Sequence, residues 1–112
     1  MIYDQFDVVV VPFPFSDSGQ SKRRPALVIS SPKKFQNKIG HSVLTMITSA
    51  SHEAWSLDTP IQNLASCGLT HPSIIRMKLF TLDDIIIIRK AGSLDAKDKE
   101  AASANLKLLM GF

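Results

Sequence analysis

The sequence has 112 residues, 45% hydrophobic and 21% charged, a composition that predicts one folded domain over residues 1–112 and excludes a disordered or fibrous chain. The one cysteine, Cys67, cannot form an internal disulfide, and no apolar run nears the roughly 20 residues of a membrane helix, so we expect a cytoplasmic protein without metal, cofactor or membrane contact. The net charge is only +3, but residues 18–52 hold six bases and no acid, which favours a polyanionic partner, with a solvated basic loop as the alternative.

The first half of the chain predicts three strands. A valine-rich run over residues 6–15 is typical of a strand that is covered on both faces. The polar residues 16–23 predict a flexible loop, and residues 25–30 predict the second strand. A short helical turn around residues 33–36 then leads to a third strand at residues 41–49.

The second half predicts three further strands and a helix. The strands are expected at residues 55–61, 74–82 and 85–89, with a loop at residues 62–72 and a turn at Asp83-Asp84. After Gly92, either Ser93 or Asp95 can cap a helix whose apolar residues recur at helical spacing. Six short strands and one helix predict a mainly β fold with a C-terminal α-helix, either a small twisted sheet or a partly closed barrel.

The junction between the basic loop and the second strand, Lys22-Arg23-Arg24-Pro25, is the most informative motif. We expect Arg24 to be held where the strand becomes rigid, and Lys22 and Arg23 to stay adaptable. A guanidinium group offers a planar donor fork that fits two phosphate oxygens and keeps its charge. Arg24 is therefore the candidate to stabilise a phosphate or its transition state. The alternative is a salt bridge from Arg24 to Asp17 or to another acid.

Hydroxyl side chains cluster where the third strand ends, at Thr48, Ser49 and their neighbours. Such groups can donate to a phosphate, although they are also ordinary turn residues, and no G-x-S-x-G motif indicates a hydrolase nucleophile. His52 is a candidate acid or base, with a solvent-facing imidazole as the alternative. Phe13 and Phe15 are candidates for stacking on a base, and core packing is the alternative for each.

Several segments in order resemble the MazF/PemK family of toxins from bacterial toxin-antitoxin pairs: DVVVVPFPF, a polar loop, KRRPALVIS, a strand ending in MITSA, SIIRMKLFTL and a terminal helix. The resemblance covers nearly the whole chain and is strongest in residues 1–30. It implies an SH3-like small β-barrel, usually a homodimer, that cleaves single-stranded mRNA as a metal-independent, sequence-selective endoribonuclease and so arrests growth. It also implies a cognate antitoxin, small and acidic, that holds the toxin inactive.

The resemblance gives catalytic roles to Arg24 and Thr48. Arg24 would stabilise the phosphate transition state, and Thr48 would assist by donating a hydrogen bond, as attack of a ribose 2′-hydroxyl on the adjacent phosphorus requires. Four further residues are expected to contact the nucleic acid, namely Lys22, Arg23, Ser49 and Arg76.

The sequence departs from the family pattern in the strand predicted at residues 74–82. Some members carry an acid there, whereas this chain has Arg76 and Lys78 and no carboxylate. The group that moves protons is therefore unassigned, with His52 and Asp17 as possible substitutes. Two other functions stay open: a non-catalytic barrel toxin that inhibits a protein target, and a module that binds RNA or DNA without cleaving it.

Overall fold

The structure is a computed structural model, and it describes residues 3–13, 22–51 and 53–111. The described residues form six strands: β1 (Asp7–Phe13), β2 (Lys22–Val28), β3 (His41–Ser49), β4 (Thr59–Pro60), β5 (Ser73–Asp83) and β6 (Arg89–Ser93). The described residues also form three short helical pieces and one long helix: a π-helical segment (Pro32–Gln36), the single turn α1 (Asn37–Ile39), a 3₁₀ turn (Asp84–Ile86) and α2 (Ala96–Met110). The predicted mainly β fold with a C-terminal helix is confirmed.

All six strands belong to one antiparallel sheet in the order β4-β5-β3-β2-β1-β6. The sheet is curled into a half-barrel that stays open between β4 and β6, which agrees with the predicted partly closed barrel. β1, β2 and β3 lie in its interior, so their registers are fixed by a neighbour on each side.

The valine run of β1 is buried on both faces, as predicted. Val8 packs with Leu27 and with Ala102 of α2, on the side that we call the helix face. Val9 and Val11 pack on the opposite side, the outer face, and all three valines have no exposed surface. Successive side chains of a strand point to opposite faces, so the two faces acquire separate apolar clusters. The outer-face cluster is completed by Tyr3, Ala26, Val28, Leu44 and Ile87.

The strand predicted at residues 55–61 is far shorter than expected, because only Thr59 and Pro60 pair with β5. The preceding residues turn instead: the Asp58 N–H donates to the Trp55 carbonyl, with 3.2 Å between nitrogen and oxygen. Leu57 adopts a φ of 64°, which a strand residue cannot have.

The strand predicted at residues 85–89 is wrong. Asp83 accepts a hydrogen bond from the Ile85 N–H and starts the 3₁₀ turn, so this isoleucine-rich run is largely exposed. The sixth strand is Arg89–Ser93, which completes the sheet by pairing with the free edge of β1. β2 also starts at Lys22 rather than at Pro25, so Arg24 lies inside a paired strand opposite Val11.

The loop between β3 and β4 is fastened to β5 by Arg76, which is only 8% exposed. Its Nε and Nη2 donate to the two carboxylate oxygens of Asp58 at 3.2 and 3.0 Å, and Nη2 also donates to the Glu53 carbonyl at 2.6 Å. This is the bidentate geometry that makes arginine–carboxylate pairs strong and directional. The Trp55 N–H donates to the same carboxylate at 2.9 Å, so the loop is held at several points.

The long loop between β4 and β5 packs against the backbone of β6 at two glycines. A Cβ on Gly68, whose φ is 69°, would lie 2.3 Å from the Ala91 carbonyl oxygen. A Cβ on Gly92 would lie 2.2 Å from the Ser66 carbonyl oxygen and 2.7 Å from the Cys67 carbonyl carbon. Because these neighbours are backbone atoms, they cannot move aside as a flexible side chain would.

We therefore expect Gly92→Ala to destabilise the protein by about 1–3 kcal/mol or more through overpacking. Gly40→Ala is the matched control, since Gly40 has a φ of 69° but no atom within 4 Å of an added Cβ. Its cost should be limited to about 1 kcal/mol of backbone strain. Thermal unfolding should show the larger loss for Gly92→Ala, and equal losses would contradict this packing.

A second prediction concerns Asp58 and pH. Burial alone would raise the pKa of Asp58, but hydrogen bonds from the Arg76 side chain and the Trp55 N–H, with the Arg76 charge, hold that pKa below its ordinary value of 3.8. The ionised carboxylate therefore contributes stability that is fully present above the ordinary pKa and is lost as the pH falls through the folded value.

Asp58→Asn should cost about 1–3 kcal/mol of unfolding free energy at neutral pH, because it removes charge-assisted hydrogen bonds. The difference between the variant and the unmodified protein should then shrink below pH 3.8. Urea unfolding between pH 7 and pH 3 measures it. A difference that stays constant over this range would show that the charge of Asp58 does not contribute.

Candidate active site

The two residues predicted to be catalytic lie on neighbouring strands, two residues beyond the end of the pairing between β2 and β3. β2 and β3 pair antiparallel with Ala26 opposite Met46, and continuing this register by two residues brings Arg24 opposite Thr48. Residues opposite each other on paired strands project to the same face. Arg24 and Thr48 therefore share the outer face with Ala26 and Met46. Arg24 is partly buried and Thr48 is 5% exposed, so both are held by the sheet.

Arg76 reaches the same face from the next strand. β5 pairs with β3 so that Ile74 lies opposite Thr48 and Arg76 opposite Met46. The position is close to the candidate site, but the guanidinium of Arg76 is bound to Asp58 and to the Glu53 carbonyl. The same guanidinium group lies over the indole ring of Trp55, with 5.5 Å between the guanidinium carbon and the ring centroid.

Trp55 forms an exposed cationic and aromatic surface beside this salt bridge. The indole is 46% exposed, and the Lys78 Nζ lies 4.8 Å from its ring centroid. Both cations stand within the range at which a cation is attracted to the face of an indole. Because the loop that carries Trp55 follows directly after β3, it begins at the end of the strand that bears Thr48.

The other predicted contact residues lie around the ends of β2 and β3. Lys22 and Arg23 are exposed at the start of β2. Ser49 is exposed at the end of β3, where its hydroxyl is 2.8 Å from the Ser51 hydroxyl. Arg23 and Arg24 are successive strand residues, so they project to opposite faces of the sheet.

A pocket of about 280 Å³ lies on the helix face, and sequence reasoning missed it. Three arginines line it, namely Arg23, Arg24 and Arg89, together with Val10, Pro25 and Leu69 among others. Arg89 is brought there by the pairing of β6 with β1, which sets it opposite Val10. No sequence signal pointed to Arg89, because the strand that carries it was predicted at the wrong residues.

Neither a metal site nor a reactive thiol is found among the described residues. Within residues 3–13, 22–51 and 53–111, no group of three or more His, Cys, Asp or Glu side chains could hold a metal ion. Cys67 is a buried free thiol whose pKa is raised chiefly by burial, which disfavours the nucleophilic thiolate. His52, Asp17 and Phe15 lie outside the described residues, as does the side chain of Phe13. No helix in the described ranges is long and apolar enough to cross a membrane.

Arg24 is not part of a salt bridge in the described residues, where the recorded pairs are Arg76–Asp58 and Lys90–Asp7. Asp17, the acid that the sequence offered as its partner, is outside the described residues. The arginine fork is therefore available to an anion as far as the structure describes the site.

The fold is shared with solved toxin structures. MazF from Deinococcus radiodurans is 20% identical, with a TM-score of 0.75 over 100% of this chain and 99% of that one. A mycobacterial endoribonuclease in complex with its cognate antitoxin is 14% identical, with a TM-score of 0.75 over 98% and 96% of the two chains. The Mycobacterium tuberculosis toxin MazF-mt6 is 17% identical, with a TM-score of 0.72 over 95% and 97%.

The sequence itself supplies the stronger evidence, since identities this low support the fold alone. No curated protein matched the sequence. Residues 4–110 match the model of PemK-like, MazF-like toxins of type II toxin-antitoxin systems. This match spans nearly all of the chain and includes both Arg24 and Thr48. The chain therefore belongs to the PemK-like, MazF-like toxin family.

Proposed function

We propose that this protein is the toxin of a toxin-antitoxin pair and that it arrests growth by cleaving single-stranded mRNA at selected sequences, without a metal ion. Family membership and the likeness of the fold to a mycobacterial endoribonuclease support this proposal. The observation that carries it is that Arg24 and Thr48 lie on adjacent paired strands, where extending the β2–β3 register by two residues sets them on one face.

The reaction that suits this pair is attack of a ribose 2′-oxygen on the neighbouring phosphorus. The new bond joins the 2′-oxygen to phosphorus, and the bond from phosphorus to the 5′-oxygen of the next nucleotide breaks. The products are a 2′,3′-cyclic phosphate and a 5′-hydroxyl, with the 2′ proton released to solvent and a proton taken up by the 5′-oxygen. Arg24 stabilises the charge that develops on the phosphate oxygens, and the Thr48 hydroxyl donates to the same group.

The remaining predicted residues surround this pair. Lys22, Arg23 and Ser49 contact the RNA strand on either side of the cleaved bond. The positive charges of Lys22 and Arg23 attract backbone phosphates whatever the nucleotide sequence, so they supply affinity without sequence selectivity. We assign Arg76 a positioning role besides any contact with RNA, since its fork already binds Asp58 and Glu53. It fixes the loop that follows Thr48 and so holds the end of β3 in place.

The proposed partners are a second copy of the chain and an acidic antitoxin. A solved relative of this fold is an endoribonuclease bound to its cognate antitoxin. An acidic segment would complement the basic residues between positions 18 and 52. Two apolar patches are exposed and would be covered in such assemblies: Ile85, Ile86 and Ile88 around the 3₁₀ turn, and Leu108, Leu109 and Met110 at the end of α2.

Arg24→Ala and Thr48→Val should each lower the cleavage rate about 100-fold or more, the usual cost of losing one donor to a developing oxyanion. Thr48→Ser keeps the hydroxyl and should retain most of the activity. Lys33→Ala is the matched control, because Lys33 is an exposed base on the π-helical segment. The measurement is cleavage of a mixed single-stranded RNA by the purified protein, with and without EDTA, together with growth arrest on expression.

Intact RNA with the unmodified protein would contradict the nuclease proposal. Equal cleavage by Arg24→Ala would contradict the assignment of the site, and loss of cleavage with EDTA would contradict metal independence. Growth arrest that persists in Arg24→Ala without cleavage would instead favour a toxin that inhibits a protein target.

A further inference from the structure

The arginine-lined pocket on the helix face is separate from the face that carries Thr48. One row of the sheet crosses it, with Pro25 of β2, Val10 of β1 and Arg89 of β6 side by side. Arg23 precedes Pro25 by two residues in β2 and so projects to the same face. β2 and β6 are separated by two strand spacings, about 10 Å, a distance that two arginine side chains can close from opposite sides. Arg23 and Arg89 therefore both line the space above Val10.

The charge of this pocket is not balanced within the described residues. The salt bridges recorded there use Arg76 and Lys90, and neither bridge involves an arginine of the pocket. Lys90, the neighbour of Arg89 in β6, is opposite Val9 and pairs with Asp7 at 3.3 Å. The two successive bases of β6 thus serve opposite faces: Lys90 neutralises a carboxylate, and Arg89 faces the pocket.

The pocket is also preformed, because its walls are backbone and apolar side chains in fixed contact. Gly68 lies against the Ala91 carbonyl so closely that no Cβ would fit between them. This contact holds Leu69, which lines the pocket, beside β6. A bound group would find both basic residues, Arg23 and Arg89, and apolar ones, Val10 and Leu69, in the lining. Fixed walls lower the ordering cost of binding.

We propose that Arg23 and Arg89 bind a phosphate group of the RNA backbone, next to the phosphodiester that Arg24 holds for cleavage. This subsite rests on the proposed function, and it extends the RNA from the outer face onto the helix face. Arg24 lines the pocket and also carries the proposed catalytic role on the strand next to Thr48, so the two sites are contiguous. An RNA strand bound at Arg24 carries a phosphate at every nucleotide. A neighbouring phosphate of the same strand can therefore be the anion that the pocket binds.

Phosphate fits this pocket better than the carboxylate of an acidic peptide. The two non-bridging oxygens of a phosphodiester point away from phosphorus in different directions, so Arg23 and Arg89 can each bind one, whereas the two oxygens of a carboxylate lie in one plane and fit a single guanidinium fork. The volume of about 280 Å³ exceeds a single ion and leaves room for part of a ribose against Val10 and Leu69. An acidic peptide remains as an outcome of the test.

The test uses Arg89→Leu and Arg23→Leu, with Lys90→Leu as the matched control on the same strand. Binding of a random-sequence single-stranded RNA oligonucleotide is followed through the fluorescence of Trp55, the one tryptophan of the chain. The measurement is made in the Thr48→Val background, so that RNA stays intact, and at several salt concentrations. Each pocket variant should weaken binding and reduce the slope of log affinity against log salt by about 0.7, the value for one phosphate contact on a single strand.

In otherwise unmodified protein, Arg89→Leu should raise the KM for RNA cleavage several-fold and leave kcat within about twofold, because it removes binding shared by ground state and transition state. Lys90→Leu should change neither quantity. Unchanged KM and salt slope in Arg89→Leu would overturn the proposal, and so would a loss confined to binding of a polyglutamate peptide.

The subsite and the proposed nuclease activity can fail separately. If the unmodified protein binds RNA, and Arg89→Leu lowers the salt slope as expected, the subsite stands even if no RNA is cut. If RNA is cut normally by both pocket variants with unchanged KM, the subsite is refuted and the nuclease remains.

Discussion

The register of β2 between β1 and β3 is the constraint on which the rest of the structure depends. Ala26, Leu27 and Val28 have no exposed surface and pack alternately onto the two faces of the sheet. A slip of one residue would move each of these side chains to the opposite face, taking Leu27 out of the helix-face cluster and Ala26 and Val28 out of the outer-face cluster, so this register is specified by packing on both sides. The same register fixes where the next residues point: Arg24 to the outer face beside Thr48, and Arg23 to the helix face beside Arg89.

Two adjacent arginines therefore serve different parts of one surface. A loop carrying the same residues would leave both guanidinium groups free to sample many positions, and ordering them on binding would cost entropy. In this structure the strand is formed from Lys22 onward, so its arginines are already placed. The salt bridge between Arg76 and Asp58 likewise fixes the loop that follows Thr48 in one position. The candidate site thus lies between two fastened segments.

The sequence was sufficient where local pattern and tertiary packing agree. The valine run of β1, the strand His41–Ser49 and the C-terminal helix were predicted because periodicity and capping residues report burial directly. Resemblance to a family indicates Arg24 and Thr48, and the sheet sets them on neighbouring strands. The isoleucine-rich run after Asp84 was wrongly predicted to be a strand, because β-branched residues favour a strand whether or not a neighbouring strand is available for pairing.

Arg89 could not be found in this way. Its strand has the weak pattern Arg-Lys-Ala-Gly-Ser, and it exists because β1 offers a free edge and because Gly92 lets the preceding loop approach. Both conditions are set by residues distant in sequence. The loop that carries Trp55 and Asp58 is a similar case. Its position is set by the buried Arg76 of β5, and no local sequence pattern predicts that Arg76 pairs with Asp58.

The central claim, that Arg24 and Thr48 promote attack by a ribose 2′-hydroxyl, is tested most directly by removing that hydroxyl. A cut site is first mapped on an unmodified RNA, and the same RNA is then made with a single 2′-deoxy nucleotide on the 5′ side of the cut. We predict that the unmodified RNA yields a 2′,3′-cyclic phosphate and a 5′-hydroxyl, and that the deoxy-substituted RNA binds equally well but stays intact at that position. Cleavage of both RNAs at the same rate would contradict the mechanism.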